Sequence, residues 1–151
     1  MIKLLRTDSD HPDFLKLVSL LDIYLREMDG EDHSFYAQYN KLDKIHHVVV
    51  AYQDGKAAGC GAIKAYASKI AEVKRMYVHP DHRQQGIASK ILAELEAWAS
   101  ELQFESCVLE TGKRQVEAVE LYKKRDYHII ENYGQYSGVE NSVCMQKILT
   151  V

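Results

Sequence analysis

The sequence predicts an α/β fold in which a mixed, mostly antiparallel sheet of about six or seven strands carries helices on both faces. Three observations predict it. Two apolar runs, residues 45–52 and 57–65, meet around Asp54-Gly55, a dipeptide suited to the tight turn of a β-hairpin. The stripe Ile87, Ile91, Leu95, Trp98 and Leu102 recurs at helical spacing immediately after Gly86. Between and around these segments, strand-like and helix-like runs alternate in an order that gives a sheet covered on two sides.

Taken in order, residues 2–5 form a short apolar start. Phe14, Leu17, Val18, Leu21, Tyr24, Leu25 and Met28 then share one helical face, with Pro12 near the first turn and Gly30 beyond the last. Residues 30–44 are polar and tyrosine-bearing, and their pattern leaves a second short helix and an ordered loop both open. A third strand, residues 71–78, completes a meander with the hairpin and stops at Pro80. After the helix that begins past Gly86, residues 107–109 read as a short buried strand. Residues 114–124 read as a helix through Val116, Val119 and Tyr122. Two late strands, near residues 127–130 and 142–149, flank a loop rich in Gly and Tyr.

The chain is 151 residues long, which suits one domain able to bury a core without disulfides or metals. A 46% hydrophobic and 27% charged composition argues against disorder and coiled coils. With 19 Lys and Arg interspersed among 22 Asp and Glu, the net charge of -3 argues against a nucleic-acid partner. No signal-peptide pattern or membrane-length apolar run occurs, so no membrane partner is expected. The three cysteines, Cys60, Cys107 and Cys144, lie far apart in apolar runs. That is the usage of buried reduced thiols in a cytoplasmic protein.

The segment with chemical content is Arg83-Gln84-Gln85-Gly86-Ile87-Ala88-Ser89. A strand feeds a helix here through small residues at Gly86 and Ala88, so unpaired amides at the helix start are able to face an anion. Arg83 offers a charge-assisted bond to the same anion. Taken alone, Gly86 and Ala88 are equally well explained by close packing of a helix on a sheet.

The segment resembles the hallmark of the GNAT acyltransferase superfamily: Arg or Gln, two residues, Gly, any residue, then Gly or Ala. The preceding Met76-Tyr77-Val78-His79-Pro80 is similar to the family's strand end. Leu109-Glu110-Thr111-Gly112 with Gln115, Ala118, Leu121, Tyr122 and Tyr127 is similar to its fifth strand and last helix. The resemblance implies acetyl-CoA as acyl donor and no metal. It also implies that Met76, Tyr77 and Val78 lie along the pantetheine arm, with Met76 and Val78 offering backbone groups. The amides from Gln84 to Ser89 would hold the pyrophosphate, and Gln115 and Tyr122 would approach the cofactor from the last helix. Two positions depart from the family pattern: Gln115 stands where Asn is frequent, and Asp126 where Gly usually precedes the aromatic. Asp tolerates the left-handed conformation better than most residues.

Acetyl transfer to an amine needs a base, because a lysine-like amine of pKa near 10.4 is about 99.9% protonated at pH 7. Glu72 is the candidate. The resemblance places it at the offset from Arg83 where the family's histone-acetylating members carry a carboxylate base, and an ion pair with Lys74 or Arg75 is the other reading of it. Tyr122 matches the family's tyrosine that protonates the departing thiolate, with a plain core role as the alternative.

The resembled fold admits its acceptor between the first helices and the last hairpin, here residues 26–40 and 131–141. Tyr36, Tyr39, Tyr133 and Tyr136 would wall the pocket, with Tyr36, Tyr133 and Tyr136 as the substrate-contacting candidates. Glu27, Asp29, Glu31 and Asp32 read either as a cation attractor or as a solvated acidic run. A small-molecule amine or amino acid is the expected acceptor. A protein lysine or N-terminus, and a non-catalytic acyl-CoA sensor, remain as alternatives, and a homodimer is left open. His79 and His82 lack a third ligand and read as surface residues.

Overall fold

A computed structural model describes residues 1–29 and 44–149. Among these residues seven strands form one sheet: β1 (Ile2–Thr7), β2 (His47–Gln53), β3 (Lys56–Ala67), β4 (Ile70–Val78), β5 (Ser106–Gly112), β6 (His128–Ile130) and β7 (Ser142–Ile148). Their order is β1-β2-β3-β4-β5-β7-β6. Only β4 and β5 pair in parallel. Among the described residues three α-helices cover the sheet: α1 (Pro12–Asp29), α2 (Ile87–Glu101) and α3 (Val116–Lys124).

The β2–β3 hairpin closes as its turn residues dictate, with Asp54 at φ 50° and Gly55 at φ 85°. Strand alternation then divides the core. Val48 and Val50 meet Phe14, Leu17, Val18 and Leu21 of α1. Val49 and Ala51 join the cluster of Ile87, Ile91, Leu92 and Leu95 from α2. Helix α3 packs on the α2 side through Ala118, Leu121 and Tyr122. Val116, expected on that stripe, is 63% exposed, because it occupies the first position of a helix that begins two residues later than the periodicity suggests.

A bulge in β4 has the largest consequence for the site. Cys60 stands opposite Tyr77 and Ala62 opposite Lys74, so Arg75 and Met76 together face Gly61, and Arg75 takes φ 59°. The extra residue reverses the alternation. Ala71 and Val73 point into the α2 side of the core, whereas Tyr77 packs on the α1 side. Glu72 and Lys74, alternating with Ala71 and Val73, therefore look toward α1. Arg75 is buried there, and its Nη1 donates to Asp22 Oδ1 of α1 at 2.9 Å.

Close approach of β4 and of α2 to β3 explains Gly59. A Cβ at that position would lie 2.7 Å from the Tyr77 carbonyl oxygen and 3.1 Å from Ile91 Cδ1. The carbonyl belongs to the sheet and cannot retreat without breaking strand pairing. Gly59→Ala is therefore expected to destabilise the fold by about 1–3 kcal/mol, as overpacking does. The check is a lower urea midpoint with an unchanged slope.

Candidate functional site

The last parallel pairs between β4 and β5 are Ile70 with Ser106, Ala71 with Cys107, and Glu72 with Val108. Beyond Glu72 the two strands part, although β4 continues to Val78 and β5 to Gly112. Among the described residues no strand pairs across the opening, and residues of α2 and α3 line the groove there.

On the β4 side, the chain leaves Val78 through a short turn at Pro80–His82, where His79 Nδ1 accepts the Asp81 amide at 3.1 Å. Gln84 at φ 63° and Gly86 at φ 77° both take the left-handed conformation just before α2 begins. The first helical amide to bond backwards is that of Lys90, to Gly86 O at 3.1 Å. The amides of Ile87, Ala88 and Ser89 precede it and form the open N-terminus of the helix. A Cβ on Gly86 would meet no atom within 4 Å, so glycine is favoured here by its positive φ and not by crowding. This is a concave set of donors at a positive helix end, the arrangement that holds a phosphate group.

The groove in front of these amides is lined by Met76, Tyr77, Val78 and Arg83 on one side. Gln84, Gly86, Ile87, Ala88 and Ser89 form its head, and Gln115, Ala118, Leu121 and Tyr122 the opposite wall. Of the cofactor-binding candidates, Gln85 alone stands outside this lining. Its Oε1 accepts the Gln53 side-chain amide, and Gln53 Oε1 contacts His82 Nδ1 at 2.8 Å, so the hairpin turn braces the loop. Arg83 differs in part from expectation. Its Nε donates to Val78 O at 2.9 Å, and its guanidinium stands 5.7 Å from the Tyr24 ring and 5.9 Å from the Tyr77 ring. The Val78 carbonyl is thus already engaged within the chain.

A second cleft opens from the same split toward α1 and the segment between β6 and β7. Glu72, Lys74, Glu110 and Tyr136 line it, with Leu21 and Leu25 of α1. Tyr122, Met76, Gln115 and Ala118 belong to both linings. Tyr122 is 7% exposed, and burial, with Glu110 adding to it, pushes its phenol well above the ordinary value of 10.0. It therefore stays protonated throughout the neutral range.

Glu72 is held from two directions. Its Oε2 accepts the Tyr133 hydroxyl at 2.5 Å, and its Oε1 lies 3.8 Å from Lys74 Nζ. Of the two partners in the alternative ion-pair reading of Glu72, Lys74 stands within reach, whereas Arg75 turns to Asp22. Tyr136 is buried beside both carboxylates. Desolvation first, then Glu110 and Glu72, raise its phenol. Tyr36 and Tyr39, with Glu31 and Asp32, lie outside the described residues, and Glu27 is exposed. His79 and His82 stand with ring centroids 6.0 Å apart, and no group of three or more potential metal ligands occurs among the described residues. Cys60, Cys107 and Cys144 are buried free thiols, and burial pushes Cys60 and Cys107 up to about 12.

Two residues of the site were not legible as such. Glu110 lies two positions beyond Val108 on the same strand face, which a period of two reveals only once the split after Val108 is known. Tyr66 belongs to an extension of β3 past residue 65, and its ring meets that of Tyr133 edge to face at 4.7 Å.

The family model for the acetyltransferase (GNAT) family matches residues 15–127, spanning the split strands, the α2 N-terminus and Tyr122. The chain belongs to the acetyltransferase (GNAT) family. Among curated relatives of this GNAT chain, an IAA acetyltransferase of Azospirillum brasilense is 30% identical over 137 residues, covering 89% of this chain and 90% of the relative. A Klebsiella pneumoniae crystal structure of a candidate acyl-CoA N-acyltransferase superposes with a TM-score of 0.84 at 28% identity over 99% of both chains. The PaiA N-acetyltransferase of Thermoplasma acidophilum, solved with coenzyme A, shares the fold at a TM-score of 0.69 and 17% identity, over 98% of this chain and 99% of that one. No helix among the described residues of this GNAT protein is long and apolar enough to cross a membrane.

Proposed function

We propose that the chain transfers an acetyl group from acetyl-CoA to the primary amine of a small molecule or amino acid, with Glu72 as general base and Tyr122 as general acid. The observation that carries this reading is the shared wall. The groove that ends at the amides of Ile87, Ala88 and Ser89 and the cleft that holds Glu72 meet at Tyr122. Acetyl-CoA supplies the thioester. The open amides and left-handed turn suit its pyrophosphate, and Met76 and Ala118 suit its apolar arm. That the PaiA structure holds coenzyme A supports the same donor here.

Glu72 reaches the cleft from the strand edge, 12% exposed at its side chain, and accepts the proton that an ammonium must lose before it attacks. Tyr122, kept neutral by burial, donates its proton to the thiolate as the carbon–sulfur bond breaks. A thiol of pKa near 8.5 makes this transfer only mildly unfavourable from an ordinary phenol, and a raised phenol makes positioning more important. Leu21 and Leu25 of α1 and Tyr136 close the acceptor cleft, which suits a small amine better than an extended peptide.

Tyr122→Phe tests the assignment while keeping the ring. It is expected to lower kcat by about 10²-fold, the lower range for a positioned acid, and to leave the Kd for acetyl-CoA unchanged. The assay follows thiol release with a panel of amines and with IAA, the compound in the Azospirillum relative's name. Full activity of the Phe variant would remove Tyr122 from proton transfer. Tight acetyl-CoA binding with no turnover on any acceptor would favour a sensor over an enzyme.

A further inference from the structure

We infer that Tyr133 is a positioning residue for Glu72, held in place by Tyr66, so that the segment between β6 and β7 sets the orientation of the base. The inference rests on the reading of Glu72 as the base. Tyr133 was expected to contact substrate, but its hydroxyl donates to Glu72 Oε2 at 2.5 Å, across 61 residues of sequence. Burial foremost, with Glu72 adding to it, raises the Tyr133 phenol far above its ordinary value, so it remains a donor at every working pH. A hydrogen bond to a charged acceptor fixes direction as well as contributing energy.

The ring is fixed from both sides. Tyr66 meets it edge to face at 4.7 Å and an interplanar angle of 64°, and Tyr136 meets it at 5.8 Å and 88°. Gly134, at φ 53°, brings the following backbone so close that a Cβ there would stand 3.4 Å from Tyr66 Oη. Tyr66 is itself 42% exposed, at the end of β3 beyond the part that packs under the helices. An exposed aromatic that contributes little to the core thus braces a partly buried one that holds the base. Lys74, at 3.8 Å from the other carboxylate oxygen, supplies charge without comparable direction. The Tyr133 bond is what points Glu72 along the cleft.

The test is a double-mutant cycle on the full chain. Thiol release from acetyl-CoA is followed with tyramine, ethanolamine and Nα-acetyl-lysine as acceptors, and without amine as the hydrolysis rate. Tyr133→Phe and Tyr66→Ala should each lower kcat, the first by about tenfold, the order expected for losing a hydrogen bond to a charged group. Neither should change the Kd for acetyl-CoA. In a Glu72→Gln background, both substitutions should have no further effect, because a residue that acts only through Glu72 has nothing left to position. Tyr66→Ala keeps the test valid if Tyr133→Phe perturbs folding, since Tyr66 is largely outside the core. Losses that multiply with that of Glu72→Gln would overturn the inference and return Tyr133 to direct substrate contact. A Glu72→Gln variant with native kcat would instead overturn the base assignment itself, as would the absence of any thiol release.

Discussion

Glu72→Gln is expected to lower kcat/KM by about 10²- to 10⁴-fold, the contribution of a positioned general base. The amide nearly matches the carboxylate in shape and still accepts a hydrogen bond from Tyr133, so the fold and the aromatic contacts around it should persist. What disappears is the ability to take a proton. Glu72 does not line the groove assigned to acetyl-CoA, so affinity for the donor should be unaffected. The pH dependence carries a sign that distinguishes base removal from a packing defect. Without an enzymic base the reaction must use amine already neutral in solution. Below an amine pKa of about 10.4 that fraction rises tenfold per pH unit, so the variant's rate should climb with the same slope between about pH 7 and 9. A variant that loses rate equally at every pH would point to geometry, and one that keeps native rate would show that Glu72 is a structural partner of Lys74 and Tyr133.

Gly86→Glu should weaken acetyl-CoA binding by at least about 100-fold, a loss that corresponds to roughly 2.7 kcal/mol. The substitution places a carboxylate at the mouth of the α2 N-terminus, where open space receives it and where a pyrophosphate would otherwise sit. Like charges forced together in such a site repel strongly. Gly86→Ala is the control. Its Cβ meets nothing, so it should carry only the strain of a left-handed residue, about 1–2 kcal/mol of stability, with acetyl-CoA affinity near native. Equal loss of affinity in both variants would mean that the turn conformation, and not the space in front of it, governs binding.

Most elements were legible because local signals and tertiary context agree. Asp54-Gly55 forms the predicted tight turn, the stripe from Ile87 to Leu95 is buried under the sheet, and Asp126 takes φ 72°, the left-handed conformation that its tolerance allows. The apolar Val116 predicts a helix from Arg114, yet the first turn of a helix at the rim of a groove is free to expose that residue, and the helix begins at Val116 itself. The insertion of β7 between β5 and β6 is set by pairings such as Leu109 with Met145, which no local pattern encodes. The bulge at Arg75 was equally hidden, and it decides the site. Reading β4 with an unbroken period of two puts Val73 and Tyr77 on one face, whereas the extra residue sends them to opposite faces. Arg83 shows a similar limit. Its charge near a phosphate loop was evident, but its bond to Val78 O depends on the turn at Pro80.

In the proposed function, the α2 N-terminus and the parted strands form an acetyl-CoA site that ends at Tyr122. Amide chemical shifts of the native chain, recorded by NMR as acetyl-CoA is added, test it most directly. The largest displacements are expected at Gly86, Ile87, Ala88 and Ser89, with a second set along Met76, Tyr77 and Val78 and none along β1. Saturating acetyl-CoA that leaves the Gly86 to Ser89 amides unmoved would contradict it.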